Sequence, residues 1–243
     1  MNVLIDVGNT RMKFAVFENG NQIFAGTGYS ELTKWLSQNE ALLKDSHLLI
    51  SGSGDIYSKG LNQVRGMFAS YVDFNRANKL RIPLCMEYET PKTLGVDRVA
   101  DAVAAVKLFP GCEILIVDAG TAITIDYVSG DGCFLGGNIS PGVEMRYRAL
   151  HDYTAKLPLV QGGEFPTTTI GKNTESAIHN GVVLGVIGEV QGYIDSFLNT
   201  NPKGVVILTG GDVELLNSCK SHRIVLIPTL QMMGLDAILT NNI

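Results

Sequence analysis

The order of apolar and polar positions divides the chain into alternating strands and helices. Val3-Leu4-Ile5 is a short apolar run ending in Asp6-Val7-Gly8, and Met12 to Phe17 forms a second strand before a turn at Glu18-Asn19-Gly20. The pattern recurs. Ile114-Leu115-Ile116-Val117 ends in Asp118-Ala119-Gly120, and Thr124 to Val128 leads to a turn at Ser129-Gly130-Asp131-Gly132. Asp6 and Asp118 lie 112 positions apart, close to half of the 243 residues, so the pattern predicts a duplicated unit.

Between the copies, residues 32–43 and 61–70 have helical periodicity, and Leu48-Leu49-Ile50 reads as a buried strand before a Gly-Ser turn. Residues 95–109 predict a helix from Val96, Val99, Ala100, Val103 and Ala104, spaced to share one face. Pro110-Gly111 ends that helix and divides a first domain, 1–110, from a second, 111–243. In the second half, residues 175–198 form a long helix carrying Gly181, Gly185, Gly188 and Gly192. Each interior helical glycine costs up to about 1 kcal/mol relative to alanine, so four on one helix point to close approach of another helix. Val205 to Leu208 and Arg223 to Ile227 are strands, and a terminal helix begins near Met232. Strands alternating with helices make the fold class α/β.

Composition narrows the function. Apolar residues make up 45% and charged residues 18%, which is globular. Nineteen Lys and Arg against 24 Asp and Glu give a net charge of -5, which argues against a protein held to nucleic acid by phosphate neutralisation. No run approaches the roughly 18 consecutive apolar residues of a membrane span. The amino terminus runs straight into the first strand without a signal-peptide pattern, so a cytoplasmic protein without membrane or nucleic-acid partners is expected. The four cysteines contain no C-x-x-C pair, and His47, His151, His179 and His222 have no metal-ligand spacing.

The candidate chemistry sits at the strand ends. A carboxylate closing a buried strand, followed by Gly and hydroxyl or amide residues, suits a metal and phosphate cradle. Asp6 would hold Mg2+, Gly8 would admit a phosphate to the backbone, and Asn9, Thr10 and Lys13 would donate. A tight turn explains one such motif equally well. The second copy at Asp118-Ala119-Gly120-Thr121 favours polyphosphate binding. Neither is a P-loop. Thr209-Gly210-Gly211-Asp212 reads as a strand-to-helix turn or a nucleotide-facing loop. Asp97, in Gly95-Val96-Asp97-Arg98, reads as an acid suiting a helix N-terminus or as a base for a substrate hydroxyl, and spacing leaves both open.

Taken together and in order, these motifs resemble the type III pantothenate kinases of the acetate and sugar kinase, Hsc70 and actin superfamily. Asp6 to Lys13 resembles the first phosphate motif, Gly95 to Arg98 the substrate motif and Asp118 to Thr124 the second phosphate motif. Gly136 to Gly142, Leu157-Pro158, Gly171-Lys172-Asn173-Thr174 and Thr209-Gly210-Gly211 follow in the family's order. The resemblance implies duplicated ribonuclease H-like (actin-like ATPase) domains, mixed sheets flanked by helices, with a cleft between the halves. It implies ATP-dependent phosphorylation of the primary hydroxyl of pantothenate, the first step towards coenzyme A, by a homodimer whose dimerisation helix lies in the second domain.

The resemblance also implies roles. Asp97 matches the catalytic base. Asp6, Val7, Gly8, Asn9, Thr10, Arg11, Met12, Lys13 and Thr121 match ATP contacts, with Mg2+ at Asp6. Tyr88, Gly95, Val96, Asp97, Arg98 and Thr174 match pantothenate contacts, and Asp118 a monovalent-cation site for K+ or NH4+. One stretch departs: Ser51-Gly52-Ser53-Gly54-Asp55 stands where the family has a Ser-Ser-Val-like turn. The alternatives are another small-molecule kinase of the superfamily or a non-catalytic regulatory relative. An aspartic protease, which also carries two Asp-x-Gly motifs, is opposed by the long helices.

Overall fold

The structure is a computed structural model that describes residues 1–8, 11–52, 55–75, 80–162, 165–219, 221 and 223–243. Asn9, Thr10, Ser53, Gly54 and His222, named above, lie outside the described residues. The chain forms two compact units, Met1–Leu108 with Thr229–Ile243, and Phe109–Pro228.

The first unit contains β1 (Asn2–Val7), β2 (Met12–Glu18), β3 (Asn21–Thr27), α1 (Gly28–Gln38), α2 (Glu40–Leu43), β4 (His47–Gly52), α3 (Lys59–Arg65), β5 (Ser70–Phe74), the two-residue strand β6 (Cys85–Met86), α4 (Val96–Leu108) and a C-terminal helix (Leu230–Thr240). Its sheet has the order β3-β2-β1-β4-β5. β1, β2 and β3 are antiparallel, whereas β4 and β5 run parallel to β1. A central strand covered on both faces reads as an unbroken apolar run, and Val3, Leu4 and Ile5 are all fully buried. Val3, Ile5, Leu48 and Ile50 pack on one side with Leu32, Trp35 and Leu36 of α1. The C-terminal helix touches β1, β4 and α4.

That helix was expected in the second domain and instead belongs to the first unit. Its Asp236 Oδ1 accepts from Asn2 Nδ2 at 2.8 Å. Leu235, Ile238 and Leu239 are fully buried, so the amphipathic helix has its apolar face satisfied here. The helix expected over 61–70 stops at Arg65, with Gly66 as its C-cap, and Ser70 already begins the edge strand β5.

The second unit contains β7 (Ile114–Ala119), β8 (Ala122–Val128), β9 (Cys133–Pro141), α5 (Val143–Asp152), α6 (Thr174–Thr200), β10 (Val205–Thr209) and β11 (Ile224–Leu226). These strands run β11-β10-β7-β8-β9, the same order as in the first unit with β7 in the place of β1. The pairing directions repeat too: β8 is antiparallel to β7 and to β9, while β10 is parallel to β7 and to β11. The duplicated α/β architecture of mixed sheets flanked by helices is therefore present strand for strand.

Among the described residues, α6 alone is long and apolar enough, by length and composition, to cross a membrane. Its apolar side chains belong to the core instead. Val186, Val190, Ile194 and Phe197 pack on Leu115, Val117 and Leu208, and Ile178 and Val182 pack around Tyr147. Gly181, Gly185, Gly188 and Gly192 all lie on the exposed side, and a Cβ at any of them would meet nothing within 4 Å.

Candidate functional site

In the first unit the site begins where β1 ends. Asp6 stands opposite Lys13 on β2 and opposite Ser51 on β4. Its carboxylate is buried and accepts a hydrogen bond from Ser51 Oγ at 2.9 Å. Burial pushes the Asp6 carboxyl above its ordinary range, and the nearby Asp97 charge adds to that. Hydrogen bonds from Ser51 and Gln231, with the Lys13 charge, pull the other way. A buried carboxylate held by neutral donors, with a second carboxylate in electrostatic reach, is a set of hard oxygen donors that suits a divalent cation.

Gly8 N–H donates to Arg11 O at 3.1 Å, and a Cβ on Gly8 would lie 2.9 Å from the same oxygen. Gly52, at the end of β4, has φ +146, and its Cβ would fall 2.3 Å from Val7 O. Only glycine lets β4 close on β1 there. Val7 and Met12 are half-buried at the strand ends, and Arg11 and Lys13 are exposed.

Asp97 lies in the first turn of α4 and is exposed, while the next residue, Arg98, is buried. Asp97 Oδ1 accepts from the Arg98 N–H at 2.9 Å, folding the carboxylate back over the helix start. A Cβ on Gly95 would sit 2.3 Å from that oxygen, so glycine two positions before the acid leaves the carboxylate room to fold back. The Arg98 guanidinium carbon lies 5.9 Å from the centre of the Tyr88 ring, within cation–π range. The first unit thus brings together Asp6, Lys13 and Asp97, and separately pairs Tyr88 with Arg98. Val96 is half-buried between Gly95 and Asp97.

In the second unit Asp118 stands opposite Thr124 on β8 and Thr209 on β10. Two glycines border its carboxylate. A Cβ on Gly120 would lie 3.4 Å from Asp118 Oδ1, and one on Gly210, with φ +99, only 2.3 Å from it. A side chain on Gly210 would also strike Ala119 O at 2.5 Å, so the glycine lets β10 pass close against the acid. Thr121 is exposed on the turn between β7 and β8, and its carbonyl accepts from Gly142 N–H at 3.2 Å. Thr174 is exposed at the start of α6. The helix is capped there by Asn173, whose Oδ1 accepts from Ser176 N–H at 2.8 Å. Gly171 passes so near that its Cβ would lie 2.3 Å from Ala177 N. The turn after Thr174 packs in the Tyr147 cluster, whereas the strand bearing Asp118 packs in the larger core.

Two residues of this site were not read from the sequence. Ser51 carried a signal: Ile50-Ser51-Gly52 at the end of β4 corresponds to Leu208-Thr209-Gly210 at the end of β10, an extension of the repeat. Gln231 carried none, because a lone glutamine 225 positions from Asp6 belongs to no motif.

Comparison with known proteins gives concordant results. Residues 2–196 match the sequence model of a family described as type III pantothenate kinase. A type III pantothenate kinase of Cytophaga hutchinsonii is 39% identical over 245 residues, covering 100% of both chains. The solved structure of a protein assigned to the Baf family of transcriptional activators, from Campylobacter jejuni, superposes with a TM-score of 0.60 at 21% identity, covering 98% of this chain and 97% of that one. A Sinorhizobium meliloti protein assigned as a 2-dehydro-3-deoxygalactonokinase gives a TM-score of 0.56 at 11% identity, covering 98% of each. The architecture common to them is the actin-like ATPase and sugar kinase fold.

Proposed function

Since the chain belongs to the type III pantothenate kinase family, and as such is a kinase that phosphorylates pantothenate in coenzyme A biosynthesis, we propose how its residues divide that work. Asp97 is the general base. It removes the proton of the primary hydroxyl as that oxygen forms its bond to the γ-phosphorus of ATP. The bond from the γ-phosphorus to the β,γ-bridging oxygen breaks, and ADP departs with the electron pair. Phosphoryl transfer asks a protein mainly for positioning and charge neutralisation. Arg98, backed by the Tyr88 ring, binds the pantothenate carboxylate, while Gly95 and Val96 shape the same turn.

Asp6 and the turn through Gly8 and Lys13, including Asn9, Thr10, Arg11 and Met12, bind ATP. When bound at Asp6, Mg2+ supplies positive charge against the polyphosphate. In the second unit Asp118 holds K+ or NH4+ in its glycine-bordered cradle, Thr121 contacts ATP, and Thr174 contacts pantothenate. Each of the two units is an actin-like ATPase-type domain. The functional form is a homodimer in the cytoplasm, paired through the open glycine face of α6. Gly181, Gly185, Gly188 and Gly192 support that reading, since their exposed positions leave room for a second helix.

The observation that carries the assignment of the base is Asp97: an exposed carboxylate fixed at a helix start, in electrostatic reach of Asp6 and beside an arginine. The test is Asp97→Asn, assayed for ATP-dependent pantothenate phosphorylation and, by calorimetry, for nucleotide binding. Loss of a positioned base lowers turnover by about 10²–10⁴-fold with binding retained. Turnover near that of the unaltered protein removes Asp97 from the role.

A further inference from the structure

β9 ends at Pro141, which stands opposite Ala122 at the start of β8. The next residue, Gly142, lies against the turn that carries Thr121. Its N–H donates to Thr121 O at 3.2 Å, and a Cβ on it would fall 2.4 Å from that oxygen and 2.5 Å from Gly120 O. Gly120 N–H in turn donates to Ala122 O at 3.2 Å, and Gly120 borders the Asp118 carboxylate. The Gly120–Thr121 turn therefore keeps its place only where the Pro141–Gly142 backbone keeps its own.

That backbone is held by Arg146. Gly142 is the N-cap of α5, and Arg146 N–H donates to Gly142 O at 3.1 Å. Helical side chains lean towards the N-terminus, so Arg146, one turn in, reaches back over the start of its helix. Its Nε donates to Pro141 O at 2.8 Å, and its Nη2 lies 3.4 Å from Ser140 Oγ. The same Nη2 pairs with Glu189 Oε2 on α6. The end of β9, α5 and α6 thus meet at a single guanidinium, whose planar fork offers donors in fixed directions. Glu189 is a firm anchor, since Val186 and Val190 on either side of it are buried in the core. The two side chains are only 22% and 25% exposed, so solvent screens the pair incompletely.

We propose that Arg146, anchored by Glu189, is a positioning residue that fixes the Pro141–Gly142 backbone against the Gly120–Thr121 turn and so sets the affinity for ATP. The inference deepens the reading above and rests on it for the contact between Thr121 and ATP. The pantothenate contact assigned to Thr174 stands about four turns earlier on α6 than Glu189, and is expected to be unaffected.

The test uses the full chain with Arg146→Met, which keeps the stem and loses every side-chain donor, and Arg146→Lys, which keeps the charge and loses the fork. Amide hydrogen exchange at Gly142 is followed by NMR in the ligand-free protein. Calorimetry with the ATP analogue AMP-PNP and Mg2+, and steady-state kinetics in both substrates, accompany it. A hydrogen bond from a charged group is worth roughly a factor of ten or more in an equilibrium. Arg146→Met is therefore expected to speed exchange at Gly142 by about tenfold and to weaken AMP-PNP binding by a similar factor. The KM for ATP rises with it, while the KM for pantothenate stays near that of the unaltered protein. Arg146→Lys falls between the two. Unchanged exchange at Gly142, or unchanged AMP-PNP affinity, in Arg146→Met overturns the proposal. So does exchange speeded equally along α5 and α6 with equal rises in both KM values, which marks a role in packing alone. In the unaltered protein AMP-PNP is expected to slow exchange at Thr121. If it does not, the contact between Thr121 and ATP falls, while exchange at Gly142 still decides whether Arg146 holds the turn.

Discussion

Replacing Gly234 by alanine perturbs the first unit at one defined atom. The added Cβ would lie 1.8 Å from Ala100 O and 2.4 Å from its carbonyl carbon, whereas real Cβ contacts essentially never fall below 3.0 Å. The C-terminal helix and α4 must then separate by at least about 1.2 Å, since the obstacle is backbone and no rotamer relieves it. Overpacking of this kind costs about 1–3 kcal/mol, and up to about 1 kcal/mol returns because alanine is the better helix former. The net loss of about 1–2 kcal/mol lowers the melting temperature by roughly 4–8 °C for a unit of this size. Activity falls further than stability. α4 begins with Asp97, and a displacement near 1 Å at a reacting group costs on the order of 10²-fold.

Circular dichroism melts and an ADP-release assay read the two effects separately. A Gly234→Ala protein that melts and turns over like the parent would refute the reasoning, because the contact would then be soft enough to carry no geometry.

Other perturbations have equally definite outcomes. Gly210→Ala forces a side chain into φ +99 and to within 2.3 Å of Asp118 Oδ1, whereas Gly211→Ala meets nothing within 4 Å. The first is expected to lose at least about 1–2 kcal/mol from backbone strain together with K+ activation, while the second keeps both, as read by melting and by turnover in K+ against Na+ buffer. Glu189 is partly buried, which would raise its pKa, yet the Ser140 hydroxyl and the Arg146 guanidinium outweigh burial and hold it below its ordinary 4.5. A depressed carboxylate stabilises the fold above its unfolded value and ceases to as pH falls through the folded one. Glu189→Gln is therefore less stable than the parent at pH 7, and the gap in melting temperature closes below pH 4.5. Gly188→Ala and Gly188→Leu separate helix propensity from association: the alanine raises the melting temperature of the isolated monomer, and the leucine breaks the homodimer in analytical ultracentrifugation. A leucine variant that remains dimeric would place the interface elsewhere.

The duplication was legible in the sequence because it is written in local terms. A fully buried strand needs a continuous apolar run, and both such runs end in Asp-x-Gly, so Asp6-Val7-Gly8 and Asp118-Ala119-Gly120 mark the same place twice. Gly95 and Asp97 were legible for a similar reason: the acid folds back over the glycine within three residues. The C-terminal helix was assigned to the wrong half because its partners are β1 and α4, more than a hundred residues away. Helical periodicity announces an apolar face but not what will cover it. The α6 glycines show the converse. Their number implied a close helix neighbour, yet among the described residues a Cβ at any of them meets nothing within 4 Å.

The two halves share a scaffold and differ at the residues flanking each acid. Around Asp6 the neighbouring strands present Lys13 and Ser51; around Asp118 the equivalent positions are Thr124 and Thr209. The first acid is thus set beside a lysine, a serine hydroxyl and, from outside the sheet, the Gln231 amide, donors suited to an anionic ligand with its own cation. The second stands opposite two threonines and is bordered by Gly120 and Gly210. Under the proposed roles, these different surroundings divide the work between a nucleotide-metal site and a monovalent-cation site. Exchanging a single pair tests this division: Lys13→Thr should weaken Mg·ADP binding in calorimetry while leaving activation by K+ unchanged, and an equal loss of both would mean that the two acids are not specialised.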